Sequence, residues 1–200
     1  MRFFAMLLGI CACSVQAGSF KIVCLGDSIT EGYGLEKEQA YPELLQRKLR
    51  AAGIDATVTN AGISGSTSAS APARTKWVLK SKPDWIILAL GANDGLRGLP
   101  TGAMEKSLAE AIRLARAGGA KVLFSGMKVP PNFGAAYSKK FEAIFAKVAK
   151  AEKPEIFDPF LLSGVGGEKG YNQADGIHPN AEGQAILAER FFGLLKGKLK

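Results

Sequence analysis

The run DWIILAL, residues 84–90, restricts more than any other stretch how this 200-residue chain can fold. Its six consecutive apolar side chains leave no polar face, so as a strand it must be covered on both sides. A strand covered on both sides calls for parallel neighbours, and parallel neighbours call for helical crossovers. The rest of the chain supplies both. Strand patterns fall at 20–25 (FKIVCL), 55–60 (DATVTN, more polar and edge-like), 120–126 (AKVLFSG) and 154–158 (PEIFD). Helical spacing joins Tyr41, Leu45, Leu49 and Ala52, with Gly53 as a stop. Further helices are predicted at 69–80 around Trp77 and Val78, at 102–119, along the stripe Phe141, Ile144, Phe145 and Val148, and from Asn180 through Ile186, Leu187, Phe191 and Leu195. No repeat or linker interrupts the order. The pattern predicts one doubly wound α/β domain.

The first seventeen residues stand apart. MRFFAMLLGICACSVQA carries one basic residue, an apolar run from Phe3 to Cys13, and Val15-Gln16-Ala17 before a small-residue boundary. That is the layout of a secretory signal peptide, and its apolar run is short for a bilayer span. The expected division is a leader at 1–17 and a domain at 18–200, exported to the periplasm or secreted. An acylated Cys13 is a second reading of the same leader. Cleavage after Ala17 removes Arg2, Cys11 and Cys13, lowering the formal charge from +8 to +7 and leaving Cys24 alone. One cysteine cannot form an internal disulfide, so stability must come from the core. Cys24 itself sits in an apolar strand, where a small buried hydrophobe is expected rather than a nucleophile. The positive charge is spread over several helical segments, with its densest cluster in the terminal KGKLK. That spread predicts no nucleic-acid partner.

A doubly wound sheet gathers functional groups in the loops at the carboxyl ends of its strands. Here those loops read GDSITEG, NAGISGSTS, GANDGLRG, GMKVPPNFG and a long segment ending in ADGIHPN. Ser28, Asn93, Asp94, Asp175 and His178 therefore share one end of the molecule. His178 is the only histidine, the one side chain whose ordinary pKa lies near neutrality. Asp175, three residues upstream, can fold back onto one ring nitrogen and fix the tautomer, leaving the other to take a proton from a hydroxyl. A serine needs such a base at neutral pH. Ser28 follows a strand directly, which fits either that nucleophile or a plain helix cap. Other chemistries are absent from the pattern. There is no G-x-S-x-G, G-x-x-x-x-G-K-[ST] or G-x-G-x-x-G, and one histidine with scattered carboxylates lacks zinc-ligand spacing. No metal or cofactor is expected.

The blocks GDSIT, NAGISGST, GANDGLRG and DGIHPN, in this order over nearly all of the mature chain, resemble the SGNH (GDSL) hydrolases. GANDGLRG, PPNFG and DGIHPN are most similar to the bacterial periplasmic acyl-CoA thioesterase I/arylesterase group. The resemblance implies a flavodoxin-like three-layer sandwich with a five-stranded parallel sheet. It also implies Ser28 as nucleophile, His178 as base and Asp175 as its orienting acid. The backbone N–H groups of Ser28 and Gly62 and the Asn93 side-chain amide would form the oxyanion hole. Two positions depart from the usual pattern, Ser66 in SGST where an acid is common and Ala92 where a second glycine is common.

The implied activity is acyl transfer on small to medium esters or thioesters, with aryl esters, acyl thioesters and lysophospholipids (hence membrane lipid) as substrate classes. Ile63, Leu96, Leu99, Val129 and Phe133 are candidates for an acyl groove. A carbohydrate O-deacetylase of the same superfamily and a non-catalytic binding module are the alternatives.

Overall fold

The computed structural model describes residues 19–130 and 133–199. The expected leader at 1–17, with Cys13, lies outside the described residues. Five strands form one parallel sheet: β1 (Phe20–Gly26), β2 (Ala56–Gly62), β3 (Trp85–Ala89), β4 (Lys121–Ser125) and β5 (Ile156–Asp158). Their order is β2-β1-β3-β4-β5, the flavodoxin-like arrangement. The apolar run at 84–90 contains β3, which is flanked by β1 and β4 and buried at all five positions. β2 lies at the sheet edge, and its Thr57 and Thr59 are exposed, which accounts for its polar composition.

Among the described residues seven helices accompany the strands: α1 (Ser28–Glu31), α2 (Tyr41–Ala51), α3 (Ala71–Val78), α4 (Ala92–Leu96), α5 (Thr101–Ala117), α6 (Ala135–Glu152) and α7 (Ala181–Leu195). The chain winds outward from β1 to β2, then reverses across β1 to β3, β4 and β5. With right-handed crossovers, that reversal sends the connecting helices to the opposite face. Accordingly α2 packs on α7, whereas α3 packs on α5 and α5 on α6. α2 shows the local logic. Pro42 sits in its first turn, where no N–H is needed, and Tyr41, Leu45 and Leu49 are buried along one stripe.

The helix expected at 69–80 is shorter than its pattern, because tight turns at Ser68–Ser70 and Leu79–Ser81 take both its ends. Val78 is its core residue, while Trp77 faces solvent at 66% exposure. α1 and α4 were not expected as helices. Each is a single turn or little more, too short for a hydrophobic period to register.

Cys24 is fully buried and pairs in register with Ile87 on β3. Burial pushes its thiol well above the ordinary range, so it is core and not a nucleophile. Ile87→Ala should cost about 2–5 kcal/mol by urea unfolding, since the cavity opens between two fully covered strands. The neighbouring Cys24 thiol should then react with a disulfide reagent measurably faster than in the parent protein. Unchanged stability and thiol protection would show that β3 is not the packed centre.

Candidate active site

Parallel sheets of this order bind ligands where neighbouring strands send their connections in opposite directions. Here that crevice lies beyond β1 and β3. β1 ends in Asp27 and Ser28; β3 leads through Gly91 into Asn93 on α4. The cap at this turn comes not from Ser28 but from its neighbour. Asp27 is the N-cap of α1, its Oδ1 accepting the Ile29 N–H at 3.1 Å. Ser28 is the first helical residue, and its Oγ lies 2.9 Å from His178 Nε2.

His178 is held by what surrounds it. Its Nδ1 lies 2.7 Å from Asp175 Oδ2, while Asp175 Oδ1 accepts the backbone N–H groups of Ile177 and His178 at 3.0 and 3.1 Å. One carboxylate oxygen therefore shapes the turn and the other orients the ring. These hydrogen bonds, with the imidazole contributing most, draw Asp175 down to about 2. A carboxylate at Nδ1 leaves the proton on that nitrogen, so Nε2 is the acceptor for the Ser28 hydroxyl. The loop is then fastened to the first half of the chain. Gln173 Nε2 donates to Tyr33 O and to Pro179 O, the Gln173 N–H donates to His178 O, and the Tyr33 ring lies 4.8 Å from the imidazole. Buried Gln184 on α7 accepts the Tyr41 N–H and donates to Ile29 O, each at 2.9 Å.

The structure separates the other expected residues. Asn93 Nδ2 donates to Ser66 O at 3.1 Å, which spends one of its two N–H bonds on the β2–α3 loop. Its neighbour Asp94 turns inward, where its carboxylate accepts the Ser68 N–H and hydroxyl at 2.7 and 2.6 Å. Gly62 is displaced from the role expected of it. Its N–H donates to Asn60 Oδ1 at 3.0 Å, and a Cβ at Gly62 would collide with the Glu31 backbone. It seats β2 against α1. The N–H groups of Ile63, Ser64 and Ser66 are also taken, by Gly26 O, Glu31 Oε2 and Ile63 O. Within 62–66 that leaves the Gly65 N–H, on a residue whose φ of +76° favours glycine. Arg97 donates to Gly65 O at 3.0 Å, so this stretch lies against α4 and Asn93. The glycine of SGST carries that signal in the sequence.

A cavity of about 250 Å³ opens beside Ser28, Asn93 and His178. Its walls are mainly apolar: Ile29, Leu96, Val129, Phe160, Leu162 and Ile177. Of the five residues expected in a groove, Leu96 and Val129 are there; Ile63, Leu99 and Phe133 are not. Ile63 is 54% exposed, Leu99 offers its carbonyl to the Tyr137 hydroxyl, and Phe133 covers Gly98 edge-on to Tyr137. Phe160, Leu162 and Ile177 come instead from the segment between β5 and α7, which carries no period to mark them. Among the described residues no three His, Cys, Asp or Glu side chains converge to hold a metal ion.

Asp27 is buried, and its Oδ2 has no hydrogen-bond partner. Arg74, half-buried on α3, donates to Gly26 O at 2.9 Å and to Ala61 O, placing a positive charge beneath the ends of β1 and β2. Burial nonetheless wins, and pushes the Asp27 carboxyl up from 3.8 to about 6. Between those values the folded chain keeps a proton that the unfolded chain has lost, so this group's contribution to stability falls as pH rises through that window. Asp27→Asn has no such titration. The stability of the parent protein minus that of Asp27→Asn should therefore drop by on the order of 2–3 kcal/mol from about pH 4 to about pH 7. Urea titrations across that range measure it, and a flat difference would contradict a retained proton.

Comparison with known proteins identifies relatives of this chain. Residues 24–186 match the model of the GDSL-like lipase/acylhydrolase family. Esterase TesA of Pseudomonas aeruginosa is 42% identical over 197 residues, covering 96% of this chain and 98% of that protein. Thioesterase 1/protease 1/lysophospholipase L1 of Escherichia coli is 35% identical over 174 residues, 86% of this chain and 82% of that one. The crystal structure of TesA superposes with a TM-score of 0.84 at 43% identity, over 88% of this chain and 98% of its own. With most of its length matched by the family model and by both relatives, the chain belongs to the GDSL-like lipase/acylhydrolase family.

Proposed function

We propose that this chain is an exported serine esterase that cleaves carboxylic esters and thioesters through an acyl-enzyme on Ser28. The observation that carries the reading is the unbroken hydrogen-bond chain Ser28–His178–Asp175 opening onto an apolar cavity. Ser28 Oγ attacks the substrate carbonyl carbon as His178 Nε2 takes the hydroxyl proton. The carbonyl π electrons move onto oxygen, and the resulting oxyanion is met by the Ser28 N–H, the second N–H of the Asn93 amide and, in place of Gly62, the Gly65 N–H. Collapse expels the alcohol or thiol, which receives the proton from His178. Water, deprotonated by the same nitrogen, then releases the acid and restores Ser28. Asp175 stays ionised throughout, since its low pKa suits it to stabilise the imidazolium.

The relatives named above as esterase, thioesterase and lysophospholipase support this range of substrates. The cavity favours acyl chains over sugar-borne acetyl groups, because its walls offer Ile29, Leu96, Val129, Phe160, Leu162 and Ile177 and few polar groups. The complete triad speaks against a non-catalytic module. No helix among the described residues is long and apolar enough to cross a membrane. Cleavage after Ala17 should give exported protein beginning at Gly18, checked by intact mass; an uncleaved Met1 or a lipid on Cys13 would refute it.

A fluorophosphonate should label Ser28 and stop hydrolysis of p-nitrophenyl esters. Ser28→Ala and His178→Ala should each lose nearly all turnover, as no second imidazole can substitute. Asn93→Ala should lower kcat by about 10²–10³ with little change in KM, because its donated bond matters chiefly once the oxyanion forms. A raised KM at constant kcat would move Asn93 to ground-state binding, and labelling elsewhere would remove Ser28 from the chemistry.

A further inference from the structure

Glu31 closes α1, three residues after Ser28, and the acyl-transfer steps give it no part. Its Oε2 accepts both the backbone N–H of Ser64, at 2.8 Å, and the Ser64 hydroxyl. Among the described residues no basic side chain lies within ion-pair distance of it, so the turn at Ser64 is what its charge meets. That turn runs from Ile63 to Ser66, closed by the Ser66 N–H on Ile63 O at 3.2 Å. Gly65 has a φ of +76° and Ser64 a negative one, the signature of a type II turn. Its middle peptide, between Ser64 and Gly65, carries the Gly65 N–H.

Glycine has no side chain to steady that N–H, so its direction follows from what holds the residues around it. Arg97 and Asn93 hold the carbonyls of Gly65 and Ser66 at 3.0 and 3.1 Å, which sets the turn against α4. Neither contact reaches Ser28, which belongs to α1. Toward that side the Ile63 N–H rests on Gly26 O at 3.2 Å, before the turn begins, and Glu31 takes both polar groups that directly precede the Gly65 peptide. Asn60 adds a bond from its Nδ2 to Glu31 O at 3.4 Å, so the end of β2 leans on the same residue. Donors that share one oxygen must be placed to within about 0.5 Å. We propose that Glu31 is a positioning residue that keeps the Gly65 N–H in register with the Ser28 N–H by fastening the turn to the helix that bears Ser28. This rests on the esterase reading and names what aligns its oxyanion hole. The role needs an acceptor at the reach of a glutamate side chain, which glutamine also supplies and aspartate does not.

Kinetics on p-nitrophenyl hexanoate test the proposal. Glu31→Ala should lower kcat about tenfold at unchanged KM, short of the 10²–10³ that follows outright loss of a donor, since the turn keeps its anchors on α4. The urea midpoint should not move, because the Glu31 side chain is exposed. A hexyl trifluoromethyl ketone, whose adduct with Ser28 carries the same oxyanion, should bind weaker by the same factor. Glu31→Gln should retain most of the parent kcat, and Glu31→Asp should behave as Glu31→Ala. Ser64→Pro suits the second position of a type II turn and removes both groups that Glu31 holds. In that background Glu31→Ala should lower kcat no further. Parent-like kcat in Glu31→Ala, a raised KM at constant kcat, or an equal loss with and without Ser64→Pro would overturn the assignment and leave the esterase reading standing. A parent protein that neither hydrolyses the ester nor forms the ketone adduct would overturn both.

Discussion

A 2.9 Å hydrogen bond joins Ser28 to His178 across 150 residues of sequence, and much of the architecture serves to hold those two atoms in register. Ser28 is fixed from the sheet, at the end of β1. His178 arrives on a loop, the least constrained kind of backbone. The difference is made up by side chains that bind across the gap. Gln184 fills both amide valences between α7, α2 and α1, and Gln173 ties the loop to the turn at Tyr33. Each is polar and at least half-buried, so losing either would strand backbone groups as well as loosen the loop. The geometry at the site is therefore bought with contacts remote from it in sequence.

Electrostatics beside Ser28 oppose burial in a way that hydrogen bonds alone do not resolve. Asp27 has the backbone N–H of Ile29 at one oxygen and nothing at the other, inside a packed turn. A neutral cap such as asparagine or serine would meet the N–H without burying a charge. What the carboxylate adds is negative potential close to the His178 imidazole. Arg74 offsets part of the burial cost from beneath the sheet, while its hydrogen bonds go to strand-end carbonyls rather than to the carboxylate. The turn thus couples fold stability to the charge distribution of the site.

Much of the fold was legible because its signals are long. The unbroken run of β3, the stripes of α2 and α6, and the count of five strands follow from periods that the structure repeats. The hydrogen-bond chain Ser28–His178–Asp175 was legible for a different reason: a single histidine, with an aspartate three residues before it, leaves few ways to pair an imidazole. Gly62 shows where such reasoning stops. Asn60 uses its N–H, a contact set by the backbone path at the end of β2 and not by any spacing. Phe160, Leu162 and Ile177 were missed for a related reason, since irregular backbone carries no periodicity from which to read a facing direction.

The two departures from the family's usual pattern act unequally once their contacts are known. Ser66 meets Asn93 through its backbone carbonyl, which any residue would provide. Exchanging an acid for serine there leaves that contact standing and alters only what the side chain presents to its surroundings. Ala92 differs, because it forms part of the cavity wall beside Asn93. Its methyl occupies space that glycine would leave open, and it stiffens the first turn of α4 by reducing the freedom of the unfolded chain. That turn also carries Asp94, whose carboxylate pins Ser68. One five-residue helix therefore positions the Asn93 donor, anchors the loop that presents the Gly65 N–H and shapes the cavity wall. A side chain added at its start can alter all three at once, whereas the change at Ser66 leaves the Asn93 contact intact.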